Sequence, residues 1–118
     1  MNFIFDNNIP IYKQLVDELK KYIVSGALSP GEKLSSVRDL ANLAKVNPNT
    51  MQKALVELEE IGLLYTERTS GRYVTKDERI IKKLKDDYAQ MLIDDYLTNM
   101  QKLGINKNEA INYLKGEI

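Results

Sequence analysis

Residues 47–53 hold a concentrated group of amide, hydroxyl and cationic side chains. On a helix, Asn49, Gln52 and Lys53 fall on the side opposite the apolar residues, with Thr50 on the flank. Asn and Gln can hydrogen-bond the edge of adenine through two atoms, and Lys can bind phosphate or guanine. Each of these residues could also serve only to cap or solvate a helix. Their occurrence together on one exposed surface favours contact with DNA.

A further cation stands at a position that local stability does not explain. Arg38 lies in the first turn of the preceding predicted helix, where positive charge opposes the helix dipole. It could form a surface ion pair with Asp39 or Glu32, which would contribute roughly 0–1 kcal/mol. It could instead bind phosphate or guanine through its forked guanidinium group. We favour the contact with DNA.

Two arginines flank the turn of a predicted hairpin. Arg68 and Arg72 enclose Thr69, Ser70 and Gly71, and the glycine permits a close approach of the backbone. Cations and hydroxyls around such a turn suit the phosphate backbone or the minor groove of DNA. An ordinary solvated hairpin is the alternative.

The composition excludes several kinds of chemistry. The 118-residue chain contains no Cys and no His, which excludes a disulfide framework, a thiolate metal site and an imidazole base. The carboxylate pairs Asp86-Asp87 and Asp94-Asp95 point about 100° apart on a helix, so neither pair converges on a metal or a substrate. We therefore expect no catalytic residue, no metal site and no cofactor.

The charge balance and the hydropathy bear on the partners of the chain. Seventeen Lys and Arg balance seventeen Asp and Glu, but a DNA-binding protein needs a basic face rather than a basic total. No apolar run is long enough to span a membrane, and the N-terminus lacks the pattern of a secretion signal. We expect a cytoplasmic protein without a membrane partner.

Two helices joined by a tight break are predicted in the middle of the first half of the chain. A first helix begins at Pro10 and stops at Gly26. A short helix follows over residues 37–44, with Ser36 as its N-cap. Asn47-Pro48 then supplies the cap and the first residue of the next helix, which ends at Gly62. The pair is a helix-turn-helix arrangement. The apolar face of its second helix comprises Met51, Ala54, Leu55, Leu58 and Ile61.

Strands and two further helices follow the pair. Residues 63–67 and 72–75 are predicted to form a β-hairpin. A helix from Asp77 to Gly104 comes next, and Asn108 caps a last short helix. The long helix spans nearly 40 Å, more than a small domain can easily cover, so we expect its apolar stripe to form a dimer interface. The alternative is that the stripe packs wholly on the chain's own DNA-binding domain. The stripe comprises Ile81, Leu84, Tyr88, Met91, Leu92, Tyr96, Met100 and Leu103.

An ordered pattern of short segments runs through more than half of the chain. The segments are SGALSPGEKL (25–34), SSVRDLA (35–41), VNPNTMQKA (46–54), LEEIGLL (58–64) and GRYV (71–74). This pattern resembles the winged helix-turn-helix domain of the GntR family of bacterial transcription regulators. The sequence NPNT at 47–50 and the short helical tail are similar to its YtrA subfamily.

The resemblance implies a set of DNA contacts and a role for the tail. Arg38, Asn49, Thr50, Gln52, Lys53 and the wing around Gly71 would contact operator DNA, and the tail would serve dimerisation. Members of the YtrA subfamily control their own operon, often one that encodes an ABC transporter. The candidate DNA-binding residues are Ser35, Ser36, Arg38, Asn47, Asn49, Thr50, Gln52, Lys53, Arg68, Thr69, Ser70, Gly71, Arg72 and Tyr73.

We therefore predict a mainly α-helical protein with a small β-hairpin. Residues 1–76 form a winged helix-turn-helix DNA-binding domain, and residues 77–118 form a two-helix dimerisation tail. The predicted function is a repressor that binds a palindromic operator as a homodimer, and the sequence identifies no small-molecule effector. A winged-helix module for protein interaction is the second hypothesis, in which acidic neighbours neutralise Arg38, Lys53, Arg68 and Arg72. An enzyme is a remote third, since no catalytic constellation is visible.

Overall fold

The computed structural model describes residues 1–117 and contains the predicted order of elements. The helices are α1 (Ile11–Val24), α2 (Val37–Ala44), α3 (Pro48–Glu60), α4 (Glu78–Lys102) and α5 (Lys107–Lys115). The strands β1 (Leu64–Glu67) and β2 (Gly71–Val74) stand between α3 and α4 and pair antiparallel. The prediction of a mainly helical chain with one hairpin is therefore confirmed. The chain divides into two compact units, Met1–Lys82 and Lys83–Ile118. The functional boundary between residues 76 and 77 stays a prediction.

Side-chain caps fix the ends of the two central helices. The Ser36 hydroxyl accepts a hydrogen bond from the Asp39 N–H at 3.1 Å, and the side-chain Oδ1 of Asn47 accepts one from the Asn49 N–H at 2.7 Å. Both bonds satisfy N–H groups that a helix start leaves without partners. Between the helices, Lys45 adopts a left-handed conformation with φ of 57°, which turns the chain within a few residues.

The core of the first unit forms where α1, α2 and β1 pack against α3. The predicted inner face of α3 is confirmed for Met51, Ala54, Leu55 and Leu58, which are all buried. Ile61 was predicted on the same face, and this is wrong because its side chain is 46% exposed. The helix ends at Glu60, so Ile61 is a C-cap residue outside the helical periodicity. The fully buried large side chains are Leu15, Leu19, Ile23, Met51, Leu55, Leu58, Leu63 and Val74.

The hairpin forms the wing, and a third extended segment, which the sequence did not indicate, pairs with it. Glu67 pairs with Gly71, so the turn comprises residues 68–70 and the glycine belongs to β2. Residues 31–34 run along the other side of β2, where Lys33 bridges Tyr73 and the Leu34 N–H donates to the Arg72 carbonyl at 2.9 Å. The segment before α2 is thereby fixed to the wing.

The N-terminal residues contact the last turn of α1. The backbone of Asn2 exchanges hydrogen bonds of 2.9 and 3.0 Å with the Tyr22 hydroxyl, and Phe3 packs edge-on against the same ring. Pro10 was predicted as the first helical residue, but α1 begins at Ile11 and Pro10 takes the N-cap position.

The second unit has almost no interior of its own. Among its described residues, 83–117, Ala110 alone is buried. The Tyr96 hydroxyl donates to the Ala110 carbonyl at 2.7 Å. The predicted cap at Asn108 is wrong. Asn106 caps α5, and its side chain and that of Glu109 form a capping box, because Glu109 stands three residues after Asn106.

Candidate nucleic-acid interface

The exposed side of α3 carries the polar residues that the sequence placed there. Asn49, Gln52 and Lys53 are exposed and Thr50 is half-buried, while the opposite side of the helix packs into the core. The capping bond of Asn47 uses its amide oxygen, which leaves the amide NH2 group as its free donor. The first turn of α3 thus presents amide donors and the positive end of a helix dipole to a ligand.

Lys53 is oriented by an aromatic ring from α1. Its Nζ lies 3.9 Å from the centroid of the Tyr12 ring, within the range of a cation–π interaction. The ring restrains the ammonium group without neutralising its charge. The sequence alone does not indicate this role for Tyr12, because Tyr12 falls at helical spacing with the apolar residues Leu15, Val16 and Leu19 of α1 and therefore reads as a core residue.

Arg38 is exposed in the first turn of α2. In the part of the chain that the structure describes, no ion pair joins it to Asp39 or to Glu32. The Glu32 carboxylate accepts instead from the Ser29 N–H at 2.9 Å. The surface ion pair that competed with a DNA contact is therefore not formed.

Arg72 turns toward α3 and does not extend from the wing. Its Nε donates to Glu59 Oε1 at 2.8 Å, and its Nη1 donates to Gln52 Oε1 at 3.3 Å. The Thr66 hydroxyl donates to the same Glu59 oxygen. Only 18% of the Arg72 side chain is exposed. Of the four cations that the protein-interaction hypothesis expects to be neutralised, Arg72 has an acidic partner, Glu59.

The Glu59 carboxylate is held in its ionised form. Its partial burial alone would raise its pKa, but the hydrogen bonds from Thr66 and Arg72 and the guanidinium charge outweigh burial and lower the pKa. Glu59 is one of three glutamates in the second half of α3, with Glu57 and Glu60. The Arg72 guanidinium balances the charge of Glu59, so Glu59 repels an approaching phosphate less than an unpaired glutamate would.

The tip of the wing keeps several of its polar groups accessible. Arg68, Thr69 and Ser70 are exposed in the turn, and the Tyr73 hydroxyl donates to Ser70 Oγ at 2.8 Å. Gly71 has φ of +121°, a conformation that favours glycine. A lysine that the sequence analysis missed, Lys33, lies beside it, since a Cβ on Gly71 would stand 3.4 Å from Lys33 Cε. Only the pairing of residues 31–34 with β2 reveals this neighbour.

A groove of about 470 Å³ separates the start of α2 from the wing. It brings Ser35 and Ser36 together with Ser70, Gly71 and Arg72, five residues that the sequence proposed separately. The Ser36 hydroxyl accepts the capping bond and keeps its own hydrogen for donation. The groove is lined by Lys33, Leu34, Ser35, Ser36, Val37, Leu55, Thr66, Ser70, Gly71 and Arg72.

The predicted stripe of α4 lies on a helix without a buried residue over its described length, 78–102. Leu92 and Leu103 are 65% and 74% exposed, and Met91 is also exposed. Tyr96 is half-buried through its contact with Ala110. The dimer interface on this stripe stays a prediction. The remaining stripe residues, all half-buried, are Ile81, Leu84, Tyr88 and Met100.

Two carboxylates of the predicted pairs on α4 have partners on the same helix. Lys83 Nζ lies 3.1 Å from Asp87, and the Gln90 amide donates to Asp94 at 2.9 Å. Among residues 1–117, no group of three or more His, Cys, Asp or Glu is placed to hold a metal ion. The helices described here also include none with the length and apolar character needed to cross a membrane.

Comparisons with known proteins identify the family. Residues 11–74 match the bacterial regulatory proteins of the gntR family. The uncharacterized HTH-type transcriptional regulator YhcF of Bacillus subtilis is 35% identical over 94% of this chain and 92% of its own length. The HTH-type transcriptional repressor YtrA of the same organism is 33% identical over 80% of this chain and 78% of its own.

Solved structures extend the agreement to the fold. A GntR family transcriptional regulator from Listeria monocytogenes has a TM-score of 0.85 at 46% identity, covering 95% of this chain and 98% of that one. AraR(DBD) in complex with operator ORE1 has a TM-score of 0.54 at 26% identity, covering 64% of this chain and 94% of that one. The resemblance that the sequence pattern indicated is confirmed. The chain belongs to the GntR family of bacterial regulatory proteins, and it is a DNA-binding transcriptional regulator with a winged helix-turn-helix fold rather than an enzyme.

Proposed function

We propose that the chain is a homodimeric repressor that binds a palindromic operator, with one winged helix-turn-helix on each half-site. The observation that carries this proposal is the exposed polar side of α3, where Asn49 and Gln52 stand opposite the buried core residues. Arg38 adds an exposed cation from α2 that no acidic neighbour within residues 1–117 neutralises. Such side chains can hydrogen-bond base edges in the major groove.

Only the N-terminal half of α3 enters the groove in this proposal. Glu57 and Glu60 lie in its second half, where phosphates would repel them. The first turn presents free N–H groups and the positive end of the dipole. Arg38, Asn49 and Gln52 are assigned to base edges. The further contacts, mainly to phosphate and sugar, are assigned to Ser35, Ser36, Asn47, Thr50, Lys53, Arg68, Thr69, Ser70, Gly71 and Tyr73.

The second unit supports pairing with another copy of the chain. Leu92, Leu103 and Leu114 are more than half exposed, while Ala110 is the one buried residue among its described positions. Burying a leucine contributes about 1.5–3 kcal/mol, so two such units gain substantially from covering each other. The proposed interface is the stripe from Ile81 to Leu103.

A two-fold dimer of this kind calls for a palindromic operator. An isologous pair presents its two recognition helices related by the same axis, so each meets an identical half-site. Linking the two domains also makes the second half-site contact intramolecular, which raises the overall affinity.

The repressor assignment rests on similarity to relatives. YtrA of Bacillus subtilis is described as a repressor, and the short tail of this chain is similar to that of its subfamily. On that basis the proposed targets are the chain's own operon and an ABC transporter encoded with it, and the proposed location is the cytoplasm.

Selection from a random DNA pool with the purified chain tests the proposal. We expect two inverted copies of one half-site, and we expect Arg38→Ala to lose the enrichment. Lys21→Ala is the matched control, because the Lys21 ammonium is already paired with Asp17 at 3.0 Å. A pool without enrichment would refute sequence-specific binding, and an enriched site without two-fold symmetry would refute the symmetric dimer.

A further inference from the structure

The contact with Arg72 occupies one of the two polar groups of the Gln52 side chain. A guanidinium group has only N–H donors, so the Gln52 atom that faces Arg72 Nη1 at 3.3 Å is the amide oxygen. The amide nitrogen therefore points away from Arg72, with two hydrogens available to a ligand. Gln52 is exposed on α3, so these donors are accessible.

Arg72 is itself held in place by the helix and the hairpin. Thr66 stands directly opposite Arg72 in the strand register, and directly opposed side chains lie on the same face of a hairpin. Both donate to Glu59 Oε1, with 2.8 Å from Arg72 Nε. Gln52 and Glu59 are seven residues apart on α3, which is about two turns and places them on one side of the helix. The guanidinium thus spans two positions of the recognition helix.

We propose that Arg72 is a positioning residue that fixes the Gln52 amide, so that Gln52 presents its NH2 group to the base edge. The inference rests on the proposed function, because it assigns roles within the same DNA-contacting surface. Guanine offers two acceptors, N7 and O6, in the major groove, whereas adenine offers an acceptor and a donor. An amide that presents only its NH2 group selects guanine. An amide that turns freely can pair with adenine through both of its atoms.

The base preference at one operator position tests this inference. Gln52→Ala identifies the position by abolishing the preference there. In the wild-type chain we expect guanine at that position. In Arg72→Met, which keeps the length of the side chain without its donors, we expect a shift from guanine toward adenine of roughly tenfold. Arg79→Met is the matched control, because Arg79 is not among the residues assigned to DNA and its guanidinium pairs with Asp77 at 3.3 Å, and we expect it to leave the preference unchanged.

The salt dependence of binding separates positioning from a direct phosphate contact. A phosphate contact by Arg72 would change the slope of log K against log salt by about 0.9 in Arg72→Met and would leave the base preference intact. Arg72→Lys would restore that slope, because lysine keeps the charge. It would not restore guanine selection, because lysine lacks the fork that contacts Glu59 and Gln52 together. We expect an unchanged slope and lost selection in Arg72→Met.

A second variant keeps the test independent of any folding defect at Arg72. Glu59→Ala removes the anchor and leaves the arginine, and we expect a weaker shift toward adenine at the same position. Thermal unfolding checks that each variant is folded. Adenine at the Gln52 position of the wild type would overturn the inference, as would an unchanged preference in both Arg72→Met and Glu59→Ala. In either case, the proposed function remains supported if the wild-type chain still enriches a palindromic sequence. Failure of the wild type to enrich any sequence overturns both.

Discussion

At the scale of single residues, the chemistry available to DNA depends on which atoms are already engaged within the protein. Ser36 and Asn47 have oxygens that accept capping bonds, so each offers a donor to a ligand. Arg72 is committed to Glu59 and Gln52, whereas Arg38 is exposed. Residue types indicate a basic, hydrogen-bonding surface, but the atoms left for DNA follow only from the folded contacts.

Base contacts and phosphate contacts should respond differently to substitution. We expect Arg38→Ala and Gln52→Ala to weaken binding to the selected operator by about 1–3 kcal/mol each, with little loss on random DNA. Lys76→Ala, at an exposed lysine after the wing, should weaken binding to all sequences alike and reduce the salt slope. Titrations at several salt concentrations measure both quantities. Equal, sequence-independent losses for all three variants would reject base contacts by Arg38 and Gln52.

The ion pair between Glu59 and Arg72 should make stability depend on pH. The pKa of Glu59 is lowered in the folded chain, so the stabilisation is full above the unfolded-state pKa and is lost as the pH falls through the folded-state pKa. At neutral pH we expect Glu59→Gln to lower the free energy of unfolding by about 1 kcal/mol, since the pair keeps partial solvent contact. Urea unfolding from about pH 7 to about pH 3 should show the difference shrinking. A difference that stays constant with pH would contradict an ionised Glu59 as its source.

At the scale of elements, local signals in the sequence were sufficient for most of the boundaries. Residues 37–44 and the start at Pro48 follow from caps that act within three residues, and both predictions agree with the helices found. The third segment of the wing, residues 31–34, pairs with β2, which lies far along the chain. The inward direction of Arg72 depends on the same register. Alternating hydrophobicity carries no information on such pairings, so these parts of the site could not be predicted.

Asn47 allows the capping of α3 to be separated from its binding to DNA. Asn47→Ala removes the capping oxygen and should lower the free energy of unfolding by about 1 kcal/mol. Asn47→Asp keeps a capping oxygen and should preserve stability, but its negative charge should weaken DNA binding at the phosphates. Urea unfolding and DNA titration of the two variants provide the measurements. Unchanged DNA affinity in Asn47→Asp would place the start of α3 away from the phosphates.

At the scale of the whole molecule, the two units differ in what stabilises them. Met1–Lys82 encloses a core of fully buried side chains. The described part of the second unit buries Ala110 alone, and α4 has no buried residue between its ends at 78 and 102. Apolar exposure of this extent on a short helical unit is typical of an interface. In the proposed function, the symmetry of the operator depends on this pairing of two chains.

Two charges introduced into the stripe should separate the chains. Leu84→Glu with Leu92→Glu would place unpaired carboxylates in the proposed interface, where their desolvation costs several kcal/mol. The DNA-binding domain should stay folded, because the buried core residues lie before residue 77 apart from Ala110. A single winged helix should then bind near the non-specific range of about 10⁻⁴–10⁻⁶ M. Sedimentation measures the oligomeric state, and titration with the palindrome measures the affinity.

A control with the same charge change distinguishes the interface from general repulsion. Gln90→Glu with Gln101→Glu adds two carboxylates about 180° from Ile81 on the helical wheel, at exposed positions. The first change also replaces the bond from Gln90 to Asp94 by a like-charge pair, which costs only about 0.2–0.5 kcal/mol on a helix surface. That variant should remain dimeric and bind the palindrome like the wild type, because its new charges stay solvated. A monomeric stripe variant that keeps wild-type affinity would refute the link between dimerisation and operator binding. A stripe variant that stays dimeric would place the interface elsewhere, since a buried pair of unpaired carboxylates could not leave the dimer intact.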